Sequence, residues 1–134
     1  VKEAYRGAGI PAFVAAFWHR MEVAYSASDF AVARSGAASL TELSRFALPT
    51  LLIPYPYAAE DHQTLNAKIF EKAGAAVLIA EREITPGLLA QKLRLFLDDP
   101  AHLSEMSAHA AALAPRDAAE RVADVVLSHC SNSS

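Results

Sequence analysis

Short apolar runs alternate with longer helical patterns along most of this chain. The apolar runs cover residues 12–17, 30–34, 50–54 and 76–80. The third run, TLLIP, is apolar throughout, as expected for a strand that is covered on both faces. Strands that alternate with helices form right-handed βαβ units. The pattern therefore predicts an α/β domain in which four parallel strands carry helices on both faces.

The helical segments carry recognisable start and stop signals. Between the strands, helices are predicted over residues 19–28, 39–46 and 61–73, and Gly74 ends the last of them. Thr85 and Asp99 each precede a proline, which predicts two further helices with these residues as N-caps. A capping box at Asp117 predicts one more helix, and residues 131–134 are expected to form a frayed tail.

Composition excludes several classes of protein. The 134 residues are 53% hydrophobic and carry a net charge of −3, which favours a folded core and gives no basic surface for nucleic acid. The sequence contains no run of about 18 apolar residues, so it predicts no membrane span. The one cysteine, Cys130, is typical of a reducing compartment and is interpreted as structural. The first residues, VKEAYRGAG, resemble the end of a helix, so we expect the chain to be part of a longer protein.

Polar and small residues follow the predicted strands. In an open parallel sheet, ligands bind beyond the carboxyl ends of the strands. Three loops leave such ends here, at residues 17–19, 34–39 and 55–63. If the strands are neighbours, the three loops line one edge of the sheet.

The second loop contains only small residues between its strand and its helix. These are Ser35, Gly36, Ala37, Ala38 and Ser39. Small side chains leave the backbone N–H groups of a helix start open, and together with the helix dipole these groups form an anion site. The same residues are explained equally well by a tight turn that needs small side chains only for packing.

A carboxylate and two amides follow these loops. Glu42 lies three residues after Ser39, which fits either a capping box or a carboxylate that accepts bonds from the vicinal hydroxyls of a ribose. Gln63 and Asn66 share one face of a helix start, and neutral amides suit sugar hydroxyls. Alternatively, Asp61 caps that helix and the amides are solvated. Residues 60–62 (EDH) are not expected to hold a metal, because three successive side chains rarely converge on one ion.

Two motifs within the segment ARSGAASLTELSRFALPTLLIPYPYAAEDHQTLNAKIFEKAGAAVLI carry a resemblance to a known family. They are R-S-G-A-x-[ST]-x-x-E and D-x-Q-x-x-N-A, and the likeness extends over the chain to about residue 127. The sequence resembles the C-terminal domain of the MurG family, the members of glycosyltransferase family 28 that transfer N-acetylglucosamine (GlcNAc) from UDP-GlcNAc to the lipid-linked muramyl-pentapeptide of peptidoglycan.

The resemblance implies a fold and a set of donor contacts. The fold would be the C-terminal, Rossmann-like half of a GT-B fold, with residues 1–130 forming a nucleotide-sugar-binding domain. This domain would be truncated at its N-terminus, because the family's first strand and Gly-rich loop are absent. By position, the resemblance implies that the backbone at Trp18 contacts the uracil and that the 35–39 loop binds the donor, with Ala37, Ala38 and Ser39 meeting the diphosphate. It also implies that Glu42 holds the ribose hydroxyls and that Gln63 and Asn66 contact the GlcNAc hydroxyls.

For the parent protein, the resemblance implies an inverting hexosyltransferase in the cytoplasm, peripherally associated with the inner face of the membrane. The lipid-linked acceptor would bind a missing N-terminal domain, so no catalytic residue is expected in this chain and the chain alone should be inactive. No D-x-D motif is present, and no metal or other cofactor is expected. Two alternatives stay open: the donor domain of another GT-B glycosyltransferase, and a nucleotide-sugar-binding subunit that needs a separate acceptor chain.

Overall fold

The computed structural model describes residues 1–56 and 62–115. The elements in this part of the chain are α1 (Lys2–Gly7), α2 (Met21–Ser26), β1 (Ala31–Ala33), α3 (Ala37–Arg45), β2 (Thr50–Leu52), α4 (His62–Lys72), β3 (Ala76–Leu78), α5 (Pro86–Leu97) and α6 (Pro100–Ala112), with a 3₁₀ turn at Glu81–Glu83. From α2 to α5, helices and strands alternate as predicted. The predicted helix at Asp117, the tail at 131–134 and Cys130 lie outside the described residues.

The sheet has three parallel strands in the order β1-β2-β3. Thr50 of β2 is in register with Ala31 on one side and with Ala76 on the other. All three residues of β2 are buried, which explains why its sequence is apolar on both faces. The parallel pairing places the carboxyl ends of the three strands at one edge of the sheet.

The predicted first strand, at residues 12–17, is wrong. This segment forms neither helix nor strand, and Phe13 and Phe17 are 73% and 75% exposed. A strand is defined by hydrogen bonds to a neighbour, and an apolar run predicts a strand only where such a neighbour exists. Within this segment Phe13 packs against the neighbouring Trp18, with the two ring centres 5.2 Å apart.

Each face of the sheet carries its own helices, as predicted. Leu52 joins a core cluster with Leu40 and Leu43 of α3 and with Ala67 of α4. The adjacent Leu51 points to the other face, where it packs with Phe96 of α5 and Met106 of α6. Successive side chains of a strand point to opposite faces, so two neighbouring leucines anchor both layers.

The helix starts follow the sequence signals closely. The side chain of Thr85 accepts a bond from the Leu88 N–H at 3.0 Å, and that of Asp99 accepts one from the His102 N–H at 3.1 Å. Both predicted caps are confirmed. Helix α3 begins at Ala37, two residues earlier than predicted, because Gly36 in extended conformation is its N-cap.

The two edges of the sheet differ. The Leu78 N–H, which points away from β2, donates to the Glu71 carboxylate at 3.2 Å, so α4 covers the β3 edge. On β1, Ala31 and Ala33 bond to the β2 side, and the intervening Val32 is 48% exposed. The β1 edge is therefore the one that presents backbone groups for further pairing.

None of the helices within residues 1–56 and 62–115 is long and apolar enough to cross a membrane.

Gly74 ends α4 in a conformation that only glycine adopts easily. Its φ is +78°, and a Cβ at this position would lie 2.7 Å from Nδ1 of His109. We expect Gly74→Ala to lower the free energy of unfolding by about 1–2 kcal/mol, because it adds left-handed strain and a steric clash. The matched control is Gly7→Ala, where the added Cβ meets no atom within 4 Å. Equal denaturant midpoints for the two variants would contradict this prediction.

Candidate functional site

Three segments meet where the parallel strands end. They are residues 34–36 after β1, residues 53–56 after β2 and residues 79–81 after β3, and we call them together the rim. The N-termini of α3 and α4 adjoin it. Two of the three loops predicted to line one edge, 34–39 and the described part of 55–63, are brought together here.

Ser35, in the turn before α3, is hydrogen-bonded to the first residues of α4. Its side chain is fully buried, and its hydroxyl donates to the backbone carbonyl of Gln63 at 2.6 Å. In return, Nδ2 of Asn66 donates to the Ser35 carbonyl at 3.3 Å. The turn after β1 is thus fastened to α4 by bonds in both directions, and the Ser35 hydroxyl is used inside the protein.

The backbone also fixes the orientation of both amides. The Tyr55 N–H donates to Oε1 of Gln63 at 2.7 Å, so Nε2 of Gln63 faces the other way, 4.0 Å from where a Cβ on Gly36 would lie. Asn66 must present its NH₂ to the Ser35 carbonyl, which leaves Oδ1 as an acceptor. The site therefore offers a donor from Gln63 and an acceptor from Asn66 at neighbouring positions.

The N-terminus of α3 has the properties of an anion site. Gly36, its N-cap, provides no side-chain bond, and the first turn holds no acidic residue. The backbone N–H groups at Ala37, Ala38 and Ser39 have no intrahelical acceptor, and the helix dipole adds partial positive charge there. Since α3 begins at Ala37, Ser39 is its third residue, and the capping-box interpretation of Ser39 and Glu42 is excluded.

Glu42 has a partner in another helix. Its Oε2 accepts a bond from the Tyr25 hydroxyl of α2 at 2.9 Å, and its side chain is exposed. Partial burial, and then the hydrogen bond and the charge of Glu42, raise the pKa of Tyr25 above its usual 10.0. At neutral pH the phenol therefore stays protonated and donates a hydrogen bond to this carboxylate.

An ion pair that sequence reasoning missed crosses the rim. Arg34 and Glu81 face each other with two bonds, Nη1 to Oε2 at 3.2 Å and Nη2 to Oε1 at 3.3 Å. Arg34 also donates to the Ile53 carbonyl at 3.3 Å and lies 5.4 Å from the centre of the Tyr55 ring. Arg34 directly follows β1 and Glu81 is the third residue after β3, and this position after a strand end was the signal that could have identified them.

Trp18 lies in the segment between α1 and α2. It packs on Phe13 and helps to line a depression of about 640 Å³ with Met21 and Ala24 of α2. Because residues 12–17 are not a strand, the 17–19 loop does not leave a strand end at the rim.

Within residues 1–56 and 62–115, no three His, Cys, Asp or Glu side chains come together as a metal site. Asp61 and Glu60, two of the three residues considered for a metal, lie outside this part of the chain.

The fold and the rim together define a Rossmann-like α/β domain with polar groups at its strand ends, and comparisons with known proteins specify the family. Residues 1–122 match the model of the glycosyltransferase family 28 C-terminal domain. The chain belongs to this family. It is also similar to a crystal structure of MurG from Acinetobacter baumannii, with a TM-score of 0.75, 33% identity, and coverage of 94% of this chain and 38% of that one. The predicted fold class is confirmed.

Two curated relatives are UDP-N-acetylglucosamine–N-acetylmuramyl-(pentapeptide) pyrophosphoryl-undecaprenol N-acetylglucosamine transferases. The protein from Gloeothece citriformis is 45% identical over 113 residues, 84% of this chain and 31% of the relative. That from Methylococcus capsulatus is 43% identical over 126 residues, 94% of this chain and 36% of the relative. The chain thus spans about a third of the length of these relatives.

The buried hydroxyl of Ser35 provides a test of how the rim is held. Ser35→Ala removes its bond to the Gln63 carbonyl, and we expect the free energy of unfolding to fall by about 1 kcal/mol. Ser39→Ala is the control, because its half-buried hydroxyl makes no bond to the described residues, and it should stay within about 0.5 kcal/mol of the wild type. Urea denaturation measures both, and an equal loss in the two variants would refute the fastening role of Ser35.

Proposed function

We propose that this chain binds the donor UDP-GlcNAc for an inverting N-acetylglucosaminyltransferase of peptidoglycan synthesis. The observation that carries the proposal is the convergence at one rim of an open helix N-terminus, two amides of fixed polarity and a nearby carboxylate. Family membership and the names of the relatives support the choice of donor.

The diphosphate of the donor would bind at the start of α3. Backbone N–H groups at Ala37, Ala38 and Ser39 and the dipole of this nine-residue helix favour negative charge. Charge grows on the diphosphate as it leaves the sugar, so donors already fixed in place would stabilise the transition state more than the ground state. Gly36 keeps this approach open, and Ser35 supports the turn from inside.

The two ends of the donor would meet different side chains. Glu42 would accept hydrogen bonds from the ribose hydroxyls, and Trp18 is proposed beside the uracil. On the sugar, Nε2 of Gln63 would donate to one hydroxyl oxygen and Oδ1 of Asn66 would accept from another hydroxyl. A hydrogen-bond donor beside an acceptor orients the sugar ring more strictly than two donors or two acceptors would. In-line attack on the anomeric carbon requires such an orientation.

The rest of the reaction would take place outside this chain. An acceptor hydroxyl of the lipid-linked muramyl-pentapeptide would attack and UDP would leave, with the acceptor held by a separate N-terminal domain. We propose the cytoplasm, at the inner face of the membrane, as the location of the whole enzyme.

Binding selectivity tests the proposal. Glu42→Ala should weaken UDP and UDP-GlcNAc alike, by about 1.5–3 kcal/mol or roughly tenfold to more than a hundredfold, because both ligands carry the ribose. Calorimetry on the full-length polypeptide that carries this domain measures both affinities, with thermal unfolding recorded for each variant. Unchanged affinity for both ligands would refute the ribose contact.

The amides should affect only the ligand that carries the sugar. Gln63→Ala and Asn66→Ala are expected to weaken UDP-GlcNAc by about 0.5–1.5 kcal/mol each and to leave UDP nearly unchanged. Gln91→Ala is the matched control, since Gln91 is exposed on α5, which packs on the opposite face of the sheet from α3 and α4. Equal losses of UDP and UDP-GlcNAc affinity in the two amide variants would show that these amides do not contact the sugar.

A further inference from the structure

Glu42 is held by a residue that the proposed donor contacts do not include. The Tyr25 hydroxyl reaches its Oε2 from α2, 17 residues away in sequence. The Tyr25 ring is half-buried, packs against the core cluster that contains Leu40 and Leu43, and lies 5.4 Å from the ring of Phe46. The donor of this bond is therefore anchored in the core, while the acceptor is an exposed side chain.

An anchored bond limits what the carboxylate can do. An exposed glutamate samples several rotamers, and fixing it on binding costs conformational entropy. The bond from Tyr25 restricts Glu42 before any ligand arrives. A carboxylate has two oxygens with about four acceptor sites, so one bond to Oε2 leaves Oε1 and a second lone pair of Oε2 for a vicinal pair of hydroxyls.

The phenol keeps its role over the neutral pH range. Partial burial, followed by the bond and the charge of Glu42, raises the pKa of Tyr25, so the hydroxyl stays protonated and continues to donate. The remaining interpretation is that the bond only ties α2 to α3. In that case its loss would change the stability of the domain and would not change the discrimination between ligands.

We propose that Tyr25 is a positioning residue that orients the Glu42 carboxylate toward the vicinal hydroxyls of the ribose. This inference rests on the proposed function, in which Glu42 contacts the ribose. It adds α2 to the donor site and assigns a positioning role to a residue that does not touch the ligand.

The experiment compares two probes on four proteins and one control variant. The probes are UDP and 2′,3′-dideoxy-UDP, which lacks the hydroxyls that Glu42 would bind. Calorimetry gives the ratio of their affinities for the wild type, Tyr25→Phe, Glu42→Ala and the double variant, each in the full-length polypeptide. Tyr25→Phe keeps the packed ring and removes only the hydroxyl. Tyr5→Phe is the control, since Tyr5 is exposed on α1 and its phenol makes no bond to the described residues.

We expect Tyr25→Phe to weaken UDP about three- to tenfold and to leave the dideoxy probe unchanged, with no further loss when it is added to Glu42→Ala. Equal weakening of both probes by Tyr25→Phe, or no weakening of either, would overturn the role of Tyr25. If Glu42→Ala still abolishes the preference for UDP in that case, the proposed function stays intact. A preference that survives Glu42→Ala would overturn the ribose contact itself, and the inference with it. A loss in Tyr5→Phe equal to that in Tyr25→Phe would also overturn the inference.

Discussion

The parallel pairing of the buried strand β2 with both of its neighbours determines where the rim and the N-termini of α3 and α4 lie. Thr50, Leu51 and Leu52 have no exposed face, so both sides of this strand must be covered by helices. A parallel strand can be reached only by a crossover connection, which puts α3 and α4 between the strands and their N-termini at the carboxyl edge of the sheet. The rim, with its open helix start and polar side chains, is a direct result of that topology.

The chemistry of the rim is then fixed by hydrogen bonds that the protein makes to itself. Gln63 uses its oxygen for the Tyr55 N–H, and Asn66 uses its nitrogen for the Ser35 carbonyl. Each amide is thereby fixed in one of its two possible orientations. Gln63 then offers a donor and Asn66 offers an acceptor at neighbouring positions. The Arg34–Glu81 pair ties the ends of the two outer strands together in the same region. Both of its side chains are partly exposed, so its contribution to stability is modest.

Several parts of this arrangement were predictable from local chemistry. The N-caps at Thr85 and Asp99 depend on side chains that bond to backbone three residues away, and the structure has both. Gly74 was predicted to end α4, and its left-handed backbone follows from the same local rule. The exception is the 12–17 run, whose apolar residues resembled a strand. A strand needs a partner that is distant in sequence, and no property of the run itself can provide one.

The sequence by itself determined the fold class, the two faces of the sheet and the small-residue turn at Gly36, because periodicity, capping and side-chain size are local properties. It also indicated Glu42, Gln63 and Asn66 as polar residues near strand ends. Only the tertiary structure decided which atoms of these residues remain for a ligand, since the competing partners come from other elements. The bond from Tyr25 to Glu42 is the clearest case: it joins two helices separated by a strand, and only folding brings a core-anchored hydroxyl to an exposed carboxylate.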